Sequence, residues 1–158
     1  MATAPDRPAP PQPPALSLPS STSDEIRDLV TAFERCDLPR AAWTHRAHLV
    51  TALWYLVHYG DEEGGERVRT GIKRFNAAKG VAQTPNGGYH ETITRFYLWA
   101  VARHLRDAPS GASIVDLAKT LVAAWGDKNR PLEYYSRERL FSWEARTGWV
   151  EPDLRELD

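Results

Sequence analysis

The chain has almost no cysteine and almost no net charge. Cys36 alone among 158 residues leaves no partner for an internal disulfide and fits a reducing compartment. Twenty Lys and Arg stand against 21 Asp and Glu, for a formal charge of -1. That balance removes the electrostatic argument for a nucleic-acid partner or an anionic membrane surface. No run of about eighteen apolar residues occurs, so no membrane-spanning helix is expected. The first twenty residues lack the apolar stretch after a basic start that marks a secretory signal. Together these absences predict a cytoplasmic protein. Alternating apolar and polar segments of useful length are also missing, as is any internal repeat, which argues against a sheet.

What is present is helical. Met1 to about Thr22 carries seven of the 12 prolines and little to bury, and reads as a disordered proline-rich tail, residues 1–22. The helical domain then spans residues 23–158. Thr22-Ser23-Asp24-Glu25 reads as a capping box, followed by Ile26, Leu29, Val30 and Phe33 at helical spacing up to Asp37-Leu38-Pro39. A second helix is predicted from Thr44 to Tyr59, stopped by Gly60, and a third from Asp61 to Ala78, weakened by Gly64, Gly65 and Gly71. A turning loop, Val81 to Gly88, leads to a fourth helix over Tyr89 to Arg106. Ser113 caps a fifth, which carries Ile114, Leu117, Leu121, Val122 and Trp125, and a last one starts near Ser136. The predicted fold class is all-α, a single bundle of five to six helices. The six tryptophans and six tyrosines read as core and inter-helix filler, since aromatics bury large areas at low entropic cost.

The chemistry concentrates in two histidine segments, Trp43-Thr44-His45-Arg46-Ala47-His48 and Gly87-Gly88-Tyr89-His90-Glu91-Thr92. At about 100° per residue, His45 falls among Leu49, Leu53 and Leu56, and His48 lies at the edge of that stripe. His90 falls beside Ile93, Thr94, Tyr97 and Val101. His58 points to the less apolar side. His104 shares the His90 face about 21 Å further along the axis, too far to join one site. Glu91 lies near Arg95, one turn on, and reads as a solvated ion pair. Each inward histidine sits in a first helical turn, where the helix dipole disfavours the charged ring and keeps imidazole neutral.

A His-x-x-His pair with one further imidazole gives three ligands and an open fourth position. The leading expectation is therefore a small enzyme using one divalent metal, zinc or iron, for hydrolysis or other Lewis-acid chemistry on a small-molecule substrate. His45, His48 and His90 would be the ligands, with Tyr89, Tyr97 or Arg139 contacting substrate. One alternative drops the metal: His45 or His90 would act as general base, and the segment Tyr134-Tyr135-Ser136-Arg137-Glu138-Arg139 would hold an anionic substrate. Another is a non-enzymatic helical module that binds a ligand or partner. Asn76 is a further candidate to turn inward.

The motifs Trp43-Thr44-His45-Arg46-Ala47-His48-Leu49, Arg74-Phe75-Asn76, Gly88-Tyr89-His90-Glu91-Thr92-Ile93-Thr94-Arg95-Phe96 and Tyr134-Tyr135-Ser136-Arg137-Glu138-Arg139-Leu140-Phe141-Ser142 resemble those of a group of small bacterial all-helical proteins. The likeness covers roughly residues 25 to 155. It implies a compact folded unit and no particular reaction. The histidine-bearing bundle is also loosely similar in architecture to the metal-binding DinB/YfiT-like four-helix proteins, from which the His-x-x-His spacing departs.

Overall fold

Thr22 opens the first helix by accepting the Glu25 N–H on its side-chain oxygen at 3.2 Å. In the computed structural model, residues 22–158 are described. The proline-rich tail, apart from Thr22, lies outside the described residues. Six α-helices and two short 3₁₀ turns follow, and the described residues form no named strand. The all-α bundle is the observed fold.

Helix α1 (Ser23–Glu34) buries Ile26, Leu29, Val30 and Phe33, the stripe its spacing requires. It ends earlier than the Asp37-Leu38-Pro39 segment suggests. Cys36 takes a left-handed φ of 57°, and Asp37 N–H then reaches the Ala32 carbonyl at 2.9 Å. This closes the end by a Schellman arrangement without the usual glycine. Cys36 itself is half-buried and free.

Helix α2 (His45–Ala78) is broken at Gly60, whose φ of 79° and ψ of 177° are not helical. Its two arms correspond to the second and third helices expected from the sequence. A continuous helix would separate residues nine apart by roughly 13 Å. Here an added Cβ on Gly64 would stand 2.7 Å from the Tyr55 carbonyl oxygen. The arms are therefore folded sharply against each other, and Gly64 is what lets their backbones touch.

Helix α3 (Glu91–Asp107) packs on α2 and α4 (Ile114–Trp125), and on the short α6 (Trp143–Thr147). The single last helix expected from Ser136 is two short ones, α5 (Arg137–Leu140) and α6, capped by Ser136 and Ser142. Leu53, Phe96 and Leu121 are fully buried where α2, α3 and α4 meet. Each such side chain contributes about 1.5–3 kcal/mol of transfer free energy. Most tryptophans pack on this core, but Trp143 is half exposed at 51%. No helix among the described residues is long and apolar enough to cross a membrane.

The loop before α3 is pinned from two sides. Gln83 accepts the Tyr89 N–H at 2.9 Å and returns its own amide N–H to the Tyr89 carbonyl at 2.8 Å. Arg146 on α6 is 9% exposed and donates to the carbonyls of Pro85, Gly88 and Tyr89. This loop becomes one wall of the cavity below.

Candidate functional site

Thr44 caps α2 by accepting the Ala47 N–H at 3.2 Å, which places His45 and His48 in the first turns of the first arm. His45 donates from Nε2 to the carbonyl of Trp125, the last residue of α4, at 3.0 Å. A carbonyl can only accept, so Nε2 carries the hydrogen and the bare nitrogen of the neutral ring is Nδ1. The ring packs against Tyr97, centroids 4.5 Å apart. Burial holds its pKa below the ordinary value, against the opposing pull of the Trp125 carbonyl.

His48 is bonded in the opposite sense. Its Nδ1–H donates to the Thr44 carbonyl at 2.7 Å, leaving Nε2 bare. The ring lies on Trp43 with centroids 3.9 Å apart, and Trp43 in turn stacks on Phe33 at 4.5 Å. Burial first, then the neighbouring His45, lowers its pKa to about 4, outweighing the Thr44 carbonyl. Both rings are neutral near pH 7.

His90 differs from both. It is the N-cap of α3 rather than a residue within its first turn, and its Nδ1 accepts the Ile93 N–H at 3.1 Å. Its Nε2–H donates to the Leu140 carbonyl at 2.8 Å. Both ring nitrogens are engaged. Burial again lowers the pKa, so the ring stays neutral and works as a structural bridge.

All three histidines nonetheless line one cavity of about 450 Å³, together with Tyr89, Tyr97 and Asn76. That size lies within the usual range for small-ligand pockets. Leu49, Ala52, Val68, Ile72, Phe75 and Ile93 supply apolar wall. The two tyrosines have already committed their protons: Tyr89 to Glu91 Oε2 at 2.6 Å and Tyr97 to the Asp127 carbonyl at 2.9 Å. Burial, and for Tyr89 the Glu91 carboxylate, pushes both phenols up. Neither phenol has a proton left for a ligand in the cavity. Asn76 is half-buried and its amide has no partner among the described residues.

Arg139 is not in this cavity. It sits on α5, where its guanidinium donates to the Glu151 carbonyl. Tyr134 and Tyr135 are buried in the core, the latter donating to the Val150 carbonyl at 2.9 Å. The Tyr134–Arg139 segment therefore closes the C-terminal part of the bundle and does not share a site with the histidines. Glu91 is likewise not a solvated partner of Arg95. It is 6% exposed and pairs with Arg69 of the second α2 arm while accepting the Tyr89 hydroxyl. Burial alone would raise the Glu91 pKa, but the Tyr89 hydroxyl and the Arg69 guanidinium outweigh it and hold it low. His58 stacks on Trp54 at the surface and His104 bonds Thr120, so neither reaches the cavity.

One lining residue was not legible as such. Arg40, in the 3₁₀ turn Arg40–Ala42, is exposed and borders the cavity. Only its position five residues before His45 hinted at it. Among the described residues no group of three His, Cys, Asp or Glu side chains is placed to hold a metal ion. Of the three lining histidines, His45 and His48 each keep one ring nitrogen, Nδ1 and Nε2 respectively, with no protein partner. No protein-family model matches the chain, and no curated protein or solved structure is significantly similar to it.

Proposed function

We propose that the chain is a small-molecule-binding helical protein whose cavity uses His45 and His48 as neutral hydrogen-bond acceptors. The observation that carries this reading is the opposed pair of tautomers. Two backbone carbonyls, of Trp125 and Thr44, take the ring hydrogens and leave Nδ1 of His45 and Nε2 of His48 unbonded by protein in a largely apolar pocket. Polar groups in such surroundings favour a ligand that satisfies them and disfavour one that leaves them unpaired. The ligand should therefore carry an O–H or N–H and an apolar body.

Catalysis by His48 as a general base is less well supported. A base works best with its pKa near the working pH, and this ring is held near 4. His45 is the better placed of the two should the cavity also perform acid–base chemistry. The lone thiol Cys36 supports a cytoplasmic location.

A metal-dependent enzyme is the second reading, supported by the same two bare nitrogens. Zinc or iron could take His45 Nδ1 and His48 Nε2. His90 would join only by giving up its cap or its bond to Leu140. Elemental analysis of protein purified without a histidine tag separates the two readings. Less than a tenth of an equivalent of metal, with none gained on titration, supports the metal-free pocket.

The direct test uses para-cresol, a neutral apolar ring with one hydroxyl. Saturable amide shift changes confined to cavity residues, weakened in His48→Ala, are the expected result. No saturable change with para-cresol, indole or phenol at millimolar concentration would defeat the reading.

A further inference from the structure

Among the described residues no Asp, Glu or Lys lines the cavity and its histidines are neutral, so Arg40 is the one charged side chain in that lining. The Arg40 guanidinium has no ion pair or hydrogen bond among the described residues. Its backbone is nevertheless anchored. It lies between Pro39 and Trp43, and Trp43 is stacked on Phe33 and His48. An uncommitted guanidinium is thus held on a fixed turn at the cavity's edge.

Deeper in, His45 Nδ1 and His48 Nε2 carry lone pairs with no protein donor, which repel an anion and favour a donor, and the Asn76 amide can either donate or accept. A ligand entering this field orients with its negative end at Arg40 and a hydroxyl or N–H directed inward. A single planar guanidinium matches a single carboxylate. A phosphate dianion would need more positive charge than this.

Building on the ligand-binding reading above, we propose that the cavity takes a monocarboxylate with an apolar body and a hydroxyl or N–H donor, with the carboxylate at Arg40. The single juxtaposition behind this is one free guanidinium in a lining without carboxylates, beside two histidine nitrogens that can only accept.

The test compares para-hydroxybenzoate, para-hydroxyphenylacetate and para-hydroxyphenylpropanoate with their primary amides, by amide-shift titration of the full chain. At low salt the best acid should bind about fivefold tighter than its amide, the scale of one partly exposed charge-assisted contact. Arg40→Gln should abolish that difference while leaving the melting temperature unchanged. Higher salt should shrink the preference. Equal binding of acids and amides, or a preference that survives Arg40→Gln, overturns the monocarboxylate assignment and leaves the ligand-binding reading standing. Inorganic phosphate binding more tightly than every acid also overturns it. If neither acids nor amides perturb the cavity, the ligand-binding reading falls and this assignment with it.

Discussion

The ring of His90 lies 2.8 Å from the Leu140 carbonyl through Nε2, while its other nitrogen receives the Ile93 N–H at 3.1 Å. One imidazole thereby caps α3 and ties that helix start to the end of α5. His90→Ala should cost about 1–3 kcal/mol, the sum of a lost N-cap and one lost buried hydrogen bond. His90→Asn should recover the cap share only. Denaturant melts of both variants check this, and chelator should leave the wild-type midpoint unchanged. A wild-type midpoint that falls with chelator would instead point to a bound metal.

Stability should decline as the solution is acidified from about pH 6.5 toward 4. Burial holds the folded His48 ring at a pKa of about 4, below the ordinary 6.5. In that window the unfolded chain binds a proton that the folded chain refuses, so acid favours unfolding. His45 and His90 are also lowered and act in the same direction. Unfolding free energies measured across the window should fall, and more shallowly in His48→Asn. Equal slopes in the two proteins would contradict the burial of this ring.

Arg146 holds the cavity wall through three carbonyls and no carboxylate. Arg146→Met keeps the apolar stem but takes the donor from the Pro85 and Gly88 carbonyls, while that of Tyr89 keeps Gln83, at a cost of about 1–3 kcal/mol. Hydrogen exchange should quicken first at Tyr89, whose N–H faces Gln83. Unchanged protection at Tyr89 would show that the loop stands without the guanidinium.

Adjacent glycines on α2 should respond with opposite signs. A Cβ at Gly64 meets the Tyr55 carbonyl at 2.7 Å, whereas one at Gly65 meets only Leu98 Cδ1 at 3.6 Å. Gly65→Ala should gain up to about 1 kcal/mol of helix propensity. Gly64→Ala should lose about 1–3 kcal/mol, because the arm backbones must separate. Thermal melts of the two variants decide the point.

Much of the fold was legible because it rests on local signals. The Thr22 and Ser113 caps, the stop at Gly60 and the stripe Ile26, Leu29, Val30 and Phe33 each act within a turn or two of chain. The convergence of His45, His48 and His90 on one cavity was also legible, since 100° steps put all three inward. What could not be read was where each ring nitrogen goes. Trp125, 80 residues from His45, and Leu140, 50 residues from His90, are carbonyls supplied by distant helix ends. Helical spacing carries no information about them. Glu91 was misplaced for a similar reason: its partner Arg69 comes from the preceding helix arm, 22 residues away, and not from its own face. Arg139 looked suited to a ligand because residue type shows a donor and hides that Glu151 already accepts from it.

Nitrogen NMR of the imidazole rings reads the pattern of protons around the cavity directly. At pH 7 His45 should be protonated at Nε2 only and His48 at Nδ1 only. His90 should be protonated at Nε2, with His45 Nδ1 and His48 Nε2 the bare nitrogens that shift when para-cresol is added. Finding His45 or His48 doubly protonated at that pH, or their bare nitrogens indifferent to saturating ligand, would contradict it.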